Sequence, residues 1–296
     1  MRLLSSETPD QGAPHRSTPN GKSDSRVSPS VTEDNRPPAY LSHVVGDALR
    51  QATESRLLDL VRSEPVPRHL AIIMDGNRRF AEAHGLLTTE GHRKGRDTLE
   101  ELLNWCLDVG IRILTVYALS TENFARPPEE LAVLMDLFAR SFQQIAVDER
   151  VHRYRIRVRA IGNKTALPVN VQAAIQRAEE ATAHYDQYFY NVAIAYGGRD
   201  EIVEAIRRLA REVQAGRLAP EAITPEMVSQ NLYTADLPDP DLVFRTSGEE
   251  RISNFLLWQS AYSELYFSDV LWPGLTQLDF LRAIRAYQTR RRRYGH

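Results

Sequence analysis

From residue 69 onward the chain alternates between two hydrophobic rhythms. Short runs rich in β-branched and aromatic residues, "HLAIIMD", "RILTVYAL", "YRIRVRAIG", "YFYNVAIAY", "DLVFRT" and "ELYFSD", predict six strands. Between most of them apolar residues return every three or four positions, the period of a helix with one buried face. In "PPEELAVLMDLFARSFQQI" they fall at 131, 134, 135, 138, 142 and 145, behind a proline and two glutamates that suit a helix start. "RDTLEELLNWCLDVG" puts Leu99, Leu102, Leu103 and Cys106 on one face of a helix over 96–109 that stops at Gly110, and "RDEIVEAIRRLAREVQAG" stops likewise at Gly216. Strands alternating with helices predict the α/β class: an open, mostly parallel six-stranded sheet flanked by helices.

The chain before this rhythm differs. Residues 1–40 are rich in Ser, Pro and Asp with hardly a large apolar side chain, so they cannot offset their own ordering entropy and are expected to be a disordered arm. Leu41, Val44, Val45 and Ala48 then carry a helical spacing, and 41–296 reads as a single domain. A formal net charge of -2 argues against a protein that binds nucleic acid by charge. The single cysteine, Cys106, excludes an internal disulfide framework and a cysteine-based zinc cluster. No apolar run has the length of a membrane span and "MRLLSS" lacks the core of a secretory signal, so the expected location is the cytoplasm.

The polar residues that matter stand where the strands end. The first run closes on Asp75-Gly76-Asn77-Arg78-Arg79, the second on Ser120-Thr121-Glu122-Asn123-Phe124, and the third on Gly162-Asn163. The fourth closes on Tyr196-Gly197-Gly198-Arg199 and the fifth leads through Arg245 to Arg251 and Ser253. Parallel strands would bring these clusters to one edge, the edge at which open α/β sheets bind ligands. Glycines there let backbone N–H groups approach an anion, and Arg79, Arg245 and Arg251 supply guanidinium forks that match phosphate oxygens. A carboxylate such as Asp75 among these cations suits a hard divalent ion shared with phosphates, which points to a diphosphate ligand and Mg²⁺.

Each piece alone has a plainer reading. Asp75-Gly76-Asn77 is also a turn signature, the 245–251 stretch also suits a solvated loop, and the 131–145 stripe also suits simple core. Cys106 fits an inert core thiol, and His92 fits a helix-start surface residue as well as a phosphate donor. Only the joint placement favours chemistry. No G-x-x-x-x-G-K-[ST] or G-x-G-x-x-G occurs, which sets aside P-loop and dinucleotide-binding enzymes. The position two residues after Asp75 is Asn77, where an aspartate-nucleophile phosphatase needs a second carboxylate, and "DLPDPD" lacks the DDxxD spacing of helical prenyl synthases.

"HLAIIMDGNRRFA", "GHRKG", "YALSTENFARP", "YGGRDEI", "RTSGEERISNFLLWQ" and "AYSELYFSDVLWP" together resemble the cis-prenyltransferases, the undecaprenyl and dehydrodolichyl diphosphate synthases, from about Pro67 to the C-terminus. "MDGNRRFA" is similar to archaeal and eukaryotic members. The resemblance implies sequential cis-condensation of isopentenyl diphosphate onto farnesyl or geranylgeranyl diphosphate, with Mg²⁺, a hydrophobic tunnel and a homodimer. Its product would be a long Z-polyprenyl diphosphate for glycosyl carrier lipid synthesis. It implies that Asp75 engages the metal and that Gly76, Asn77, Arg78, Arg79 and His92 hold the allylic diphosphate, with Phe80 against the substrate. Ser120, Thr121, Glu122 and Asn123 would stand by the reacting carbons, Asn123 assisting proton removal, with Phe124 and Arg126 lining the site. Arg245, Arg251, Ile252 and Ser253 would bind isopentenyl diphosphate, and Glu264 would complete the metal site, across a dimer interface if need be. Arg293-Tyr294-Gly295 resembles an element that reaches a partner's site. Two positions depart from the common pattern, Thr88 where many relatives carry arginine and Glu250 where many bacterial ones carry histidine. A non-catalytic partner subunit of this fold would lack the aspartate and the Arg/Ser motif. The run "RRRR" at 290–293 raises peripheral contact with anionic lipid.

Overall fold

The computed structural model of the protein describes residues 39–294, with side chains from 51 to 290. The arm expected over 1–40 lies outside them apart from its last two residues, and the side chains of 291–296, including Arg293-Tyr294-Gly295, lie outside as well. All six predicted strands are present: β1 (His69–Ile73), β2 (Ile113–Ser120), β3 (Ile156–Ile161), β4 (Tyr188–Tyr196), β5 (Leu242–Arg245) and β6 (Glu264–Phe267). They form one sheet in the order β3-β4-β2-β1-β5-β6, parallel throughout. The helices are α1 (Ala39–Arg62), α2 (Asn77–Ala83), α3 (Thr88–Val109), α4 (Pro128–Ile145), α5 (Glu149–Arg153), α6 (Val169–Thr182), α7 (Gly198–Gln214), α8 (Pro225–Ser229) and α9 (Gln277–Tyr294).

The uninterrupted apolar runs follow from burial on both faces. Every residue of β1 is buried, Leu70 and Ile72 in the larger core, Ala71 and Ile73 in the smaller one, as the two-residue period of a strand requires. The larger core takes Leu102 and Cys106 from α3, Leu134, Met135 and Phe142 from α4, and Phe280 and Ile284 from α9. The smaller one closes over Val243, Tyr196, Phe255 and Leu256. At the edge, β3 turns Arg157 and Arg159 outward in alternation, and its free N–H groups are covered from α6. Thr182 Oγ1 accepts from Val158 N at 3.0 Å and Glu179 Oε1 from Ala160 N at 2.9 Å.

One boundary differs from the sequence expectation. Helix α3 starts at Thr88, eight residues before the stripe that announced it, because Glu90 reaches back to accept from Leu87 N at 2.8 Å and fixes the first turn. The added turns hold "GHRKG". A side chain at Gly91 would strike Asn77 O, and one at Gly95 would strike Asn77 Oδ1 and approach Trp272 Cδ1 to 2.9 Å. Those two glycines let the head of α2 lie directly on α3. His92, between them, is buried inside this helix and is no helix-start surface residue.

Candidate active site

Because all strands run one way, their carboxyl ends share one rim, and a cleft of about 790 Å³ opens there. Asp75, Gly76, Asn77, Arg78, Arg79, His92, Ser120, Glu122, Asn123, Arg126, Arg245 and Ser253 all line it. Four of the five strand-end clusters thus meet. The Gly162-Asn163 cluster does not: β3 is the sheet's edge, and these two residues border a neighbouring cavity with Thr121 and Gly197. Gly162 is glycine for a steric reason, since φ is 125° and a Cβ would collide with Ile194 O.

Asp75 is held from several sides. Its backbone N–H donates to Thr246 Oγ1 at 3.0 Å, the Thr246 hydroxyl donates back to Asp75 O at 2.7 Å, and Trp272 N donates to the same oxygen at 3.0 Å. Gly76 follows in the left-handed region at φ 110°, which aims the chain into α2. Arg245 Nη2 donates to Asp75 Oδ2 at 2.7 Å, and Arg79 Nη2 stands 3.6 Å from the same oxygen. Partial burial pushes the Asp75 pKa up, but hydrogen bonds from Arg245 and Ser247 and the charges of Arg245 and Arg79 outweigh it, leaving the carboxyl below its usual range. Arg245 itself is buried and spans to Ser253 Oγ at 2.7 Å and to the carbonyl of Arg251, while its Nε has no hydrogen-bond partner among the described residues. Ser253 and Asn254 sit consecutively in the left-handed region at φ 45° and 64°, a tight turn that brings the hydroxyl to Arg245.

The paired arginines divide their work. Arg79 turns toward the loop after β5, donating to Ser247 Oγ at 2.7 Å and standing 3.5 Å from Glu249. Arg78 turns the other way, to Glu130 on α4, donating through Nε at 2.9 Å and through Nη2. Glu130 Oε1 also accepts from Arg126 Nη1 at 2.9 Å and lies 3.1 Å from His92 Nε2. Burial pulls the His92 pKa down, against the upward pull of Glu130. Glu130 stays below its usual range, because hydrogen bonds from Arg78 and His92 and the charges of Arg126 and Arg78 overcome its burial.

Several expected residues lie elsewhere. Phe80 stacks on His84 at 4.1 Å, Thr121 turns to Asp200 at 3.3 Å, and Phe124 packs on the larger core. Ile252 packs on the smaller core, and the Arg251 side chain is exposed and paired with Glu249. Glu264 registers with Leu242 at the opposite end of the sheet from Arg245 and pairs with Arg290 at 3.3 Å. Strand rise puts it about 10 Å down the sheet from the rim, so within one chain it does not join Asp75. Thr88 begins α3, and Glu250 lies in the loop between the turn at Ser247-Gly248 and Arg251.

Other lining residues were not singled out from sequence. Asn254 ties three loops together: its Nδ2 donates to Glu122 Oε1 at 2.9 Å, its carbonyl accepts from Gly198 N at 2.7 Å, and its Oδ1 accepts from Arg199 N at 2.9 Å. Tyr117, Leu134 and Leu257 also face the cleft, as does Arg199 of the fourth strand-end cluster named above. The signal for Glu130 was the i,i+4 spacing from Arg126.

Below the cleft the surroundings become apolar. A cavity of about 100 Å³ shares Met74, His92, Tyr117 and Leu134 with the cleft and continues between Leu99, Phe138, Phe142 and Ile145. A further one of about 90 Å³ shares Leu99 and Ile145 with it and reaches Val151 and Ile156. These are adjoining pockets between α3 and α4, not an open bore.

A carboxylate held between arginines, a rim of guanidinium groups and an apolar floor suit a diphosphate with a hydrocarbon tail. The comparisons agree. Residues 73–295 match the prenyltransferase family model for undecaprenyl diphosphate synthase. The chain belongs to that family, the cis-prenyltransferases. A tritrans,polycis-undecaprenyl-diphosphate synthase (geranylgeranyl-diphosphate specific) of the archaeon Methanocaldococcus jannaschii is 53% identical over 244 residues, 82% of this chain and 87% of that one. An isoprenyl transferase of Thermus thermophilus is 52% identical over 246 residues, 82% of this chain and 94% of that one. Among solved structures, lavandulyl diphosphate synthase from Lavandula x intermedia, in complex with dimethylallyl diphosphate, superposes with a TM-score of 0.71 at 36% identity, over 75% of this chain and 95% of that one. This cis-prenyltransferase has no helix long and apolar enough to cross a membrane among its described residues. Arg290, first of the basic run, is committed to Glu264 and to Leu265 O.

Magnesium fits the residues present in one way. No group of three His, Cys, Asp or Glu side chains is placed to hold a metal among the described residues. Asp75 alone, ionised and at the rim, suits an ion that takes one or two carboxylates and fills its shell with phosphate oxygens and water.

Proposed function

We propose that this cis-prenyltransferase condenses isopentenyl diphosphate repeatedly onto an allylic diphosphate to make a long Z-polyprenyl diphosphate, of about fifty to fifty-five carbons on the undecaprenyl pattern. The observation that carries the reading is the continuity of the Asp75–Arg245 cleft with the apolar cavities between α3 and α4. The long hydrocarbon belongs to the allylic substrate, so its diphosphate binds where the cleft meets those cavities, at Arg78, His92 and Arg126. The other diphosphate then takes the Arg245 and Ser253 side, with Arg251 swinging in from the surface. The relatives' names favour geranylgeranyl diphosphate as the starter, with farnesyl diphosphate the alternative.

In the reaction the allylic C1–O bond breaks and its electron pair leaves on the diphosphate. The C4 end of isopentenyl diphosphate supplies the electrons of the new C–C bond, and the proton lost from its C2 passes to the released diphosphate. Arg78 and Arg126 stabilise the charge that develops on the leaving group. Asp75 would hold Mg²⁺, which when bound adds positive charge beside the departing oxygens. Asn123 orients rather than abstracts: its Oδ1 accepts from Ser120 N at 3.0 Å, and an amide is a poor base. As the chain lengthens, α3 and α4 must part to join the small cavities into a tunnel that excludes water from the reacting carbon. Glu264 reaches a metal site only across a homodimer.

The test is turnover. Purified protein with Mg²⁺, isopentenyl diphosphate and either starter is expected to yield Z-polyprenols on chromatography of the dephosphorylated products. No elongation with either starter overturns the reading.

A further inference from the structure

Glu130 faces the cleft's cations without being a metal ligand or a reacting group. It sits in the first turn of α4 with its side chain 11% exposed, and its two oxygens take Arg78 twice, Arg126 once and His92 once. These partners come from three separate elements: Arg78 from α2, His92 from α3 and Arg126 from the loop before α4. No other carboxylate pairs with any of the three among the described residues. Arg78 is half-exposed on a helix of seven residues, and Glu130 is the group that fixes the direction of its guanidinium. Without Glu130, Arg78 and Arg126 repel and Arg78 regains its rotamers. With Glu130, three N–H-bearing groups are gathered at the place where the cleft joins the apolar cavity, which His92 lines from both sides.

We propose that Glu130 is a positioning residue that assembles Arg78, Arg126 and His92 into the anchor for the allylic diphosphate, so that it sets which substrate binds there without touching the reacting atoms. The inference rests on the reading above that this side of the cleft holds the allylic partner. A bidentate pair to Arg78 fixes the plane of the guanidinium, and the shared oxygen fixes its distance to Arg126 and His92. A glutamine in its place keeps the volume but turns an NH₂ toward a guanidinium, so the geometry depends on the charge.

Steady-state kinetics with each substrate varied in turn tests this on wild type, Glu130→Gln and Glu130→Asp, with circular dichroism to confirm folding. Glu130→Gln should raise the KM for the allylic diphosphate about tenfold or more, the KM for isopentenyl diphosphate by less than twofold, and lower kcat by less than the allylic KM rises. Glu130→Asp, which keeps the charge with shorter reach, should lie between wild type and Glu130→Gln. An allylic KM within twofold of wild type, or equal rises in both KM values, overturns the positioning role while wild-type turnover leaves the proposed function standing. If Glu130→Gln does not fold, the same criteria apply to Glu130→Asp: a severalfold rise confined to the allylic KM supports the role, and no rise or a shared rise overturns it. Failure of wild type to elongate any prenyl diphosphate would instead count against the function itself.

Discussion

Two carboxylates hold the arginines of this cleft, and they do so under different conditions. Asp75 ends a buried central strand, its backbone gripped by Thr246 and Trp272, and its side chain is 32% exposed to the opening. Glu130 projects from a helix, is less exposed, and spends both oxygens on cations. The first arrangement leaves a rigidly placed anion with one face toward ligand; the second makes a closed internal tie. A charge meant for chemistry is fixed through its backbone and left open, whereas one meant for alignment is saturated by the groups it aligns. Arg78 and Arg79, adjacent in sequence, are divided between them because neighbours on a helix point about 100° apart.

The sharpest way to break the comparison is to remove the open carboxylate. Asp75→Ala should lower turnover by about a thousandfold or more, against the KM effect expected at Glu130, because it takes away the carboxylate proposed to hold Mg²⁺ beside the leaving group. An unimpaired Asp75→Ala enzyme would show that both carboxylates merely align arginines. Gly95→Ala strikes both clusters at once, since its Cβ would push Asn77 and with it the head of α2. It should cost about 1–3 kcal/mol and lower the melting temperature by about 5 °C, read by calorimetry; a neutral result would mean that α2 rides freely on α3. Arg251→Ala should be milder. Its side chain is exposed and, among the described residues, paired with Glu249 alone, so the isopentenyl KM should rise severalfold with a melting temperature unchanged within about 1 °C. A large stability loss would place Arg251 in the frame of the site.

Acidification separates the clusters most gently. His92 has a folded pKa below its unfolded value, so its stabilising effect is complete above about pH 6.5 and declines as pH falls from there toward the folded pKa. Asp75 and Glu130 are also depressed, but as carboxylates their stabilising effect is complete above about pH 4 and is lost only as pH falls further through their folded pKa values. Urea midpoints measured from pH 7 to 5 should therefore fall, and His92→Gln should flatten part of that fall. The comparison with this variant is needed because His69, buried against Pro238 and Thr115 and pushed down to about 4, loses stability in the same range. Identical slopes in wild type and His92→Gln would remove His92 from the account.

Much of this was legible beforehand. Six strands follow from runs that must be buried on both faces, and parallel order follows from the intervening helices, so the meeting of Asp75 with Arg245 could be expected. The start of α3 was not, because Gly91 and Gly95 look like helix breakers until α2 is seen lying on them. The partition of Arg78 from Arg79 was hidden for a geometric reason, since strand-end position says which rim a residue joins and not which way its side chain turns. Asn254 was quoted within a motif but its bridging of three loops depends on a left-handed turn that residue type alone does not announce. The tunnel expected from the resemblance is not open among the described residues, where the cavities between α3 and α4 are small and separate.

The bond between Arg245 and Asp75 spans 170 residues of chain. Loop closure over such a span is slow, and parallel pairing gives no local hairpin to hasten it. During synthesis β1 therefore emerges long before β5 and must wait without that neighbour, its carboxylate still lacking Arg245, until the last fifth of the polypeptide is reached. The enzyme would acquire its catalytic rim as one of the final events of folding, and nascent or truncated chains ending before β5 would be inert and exposed to aggregation along the open side of β1.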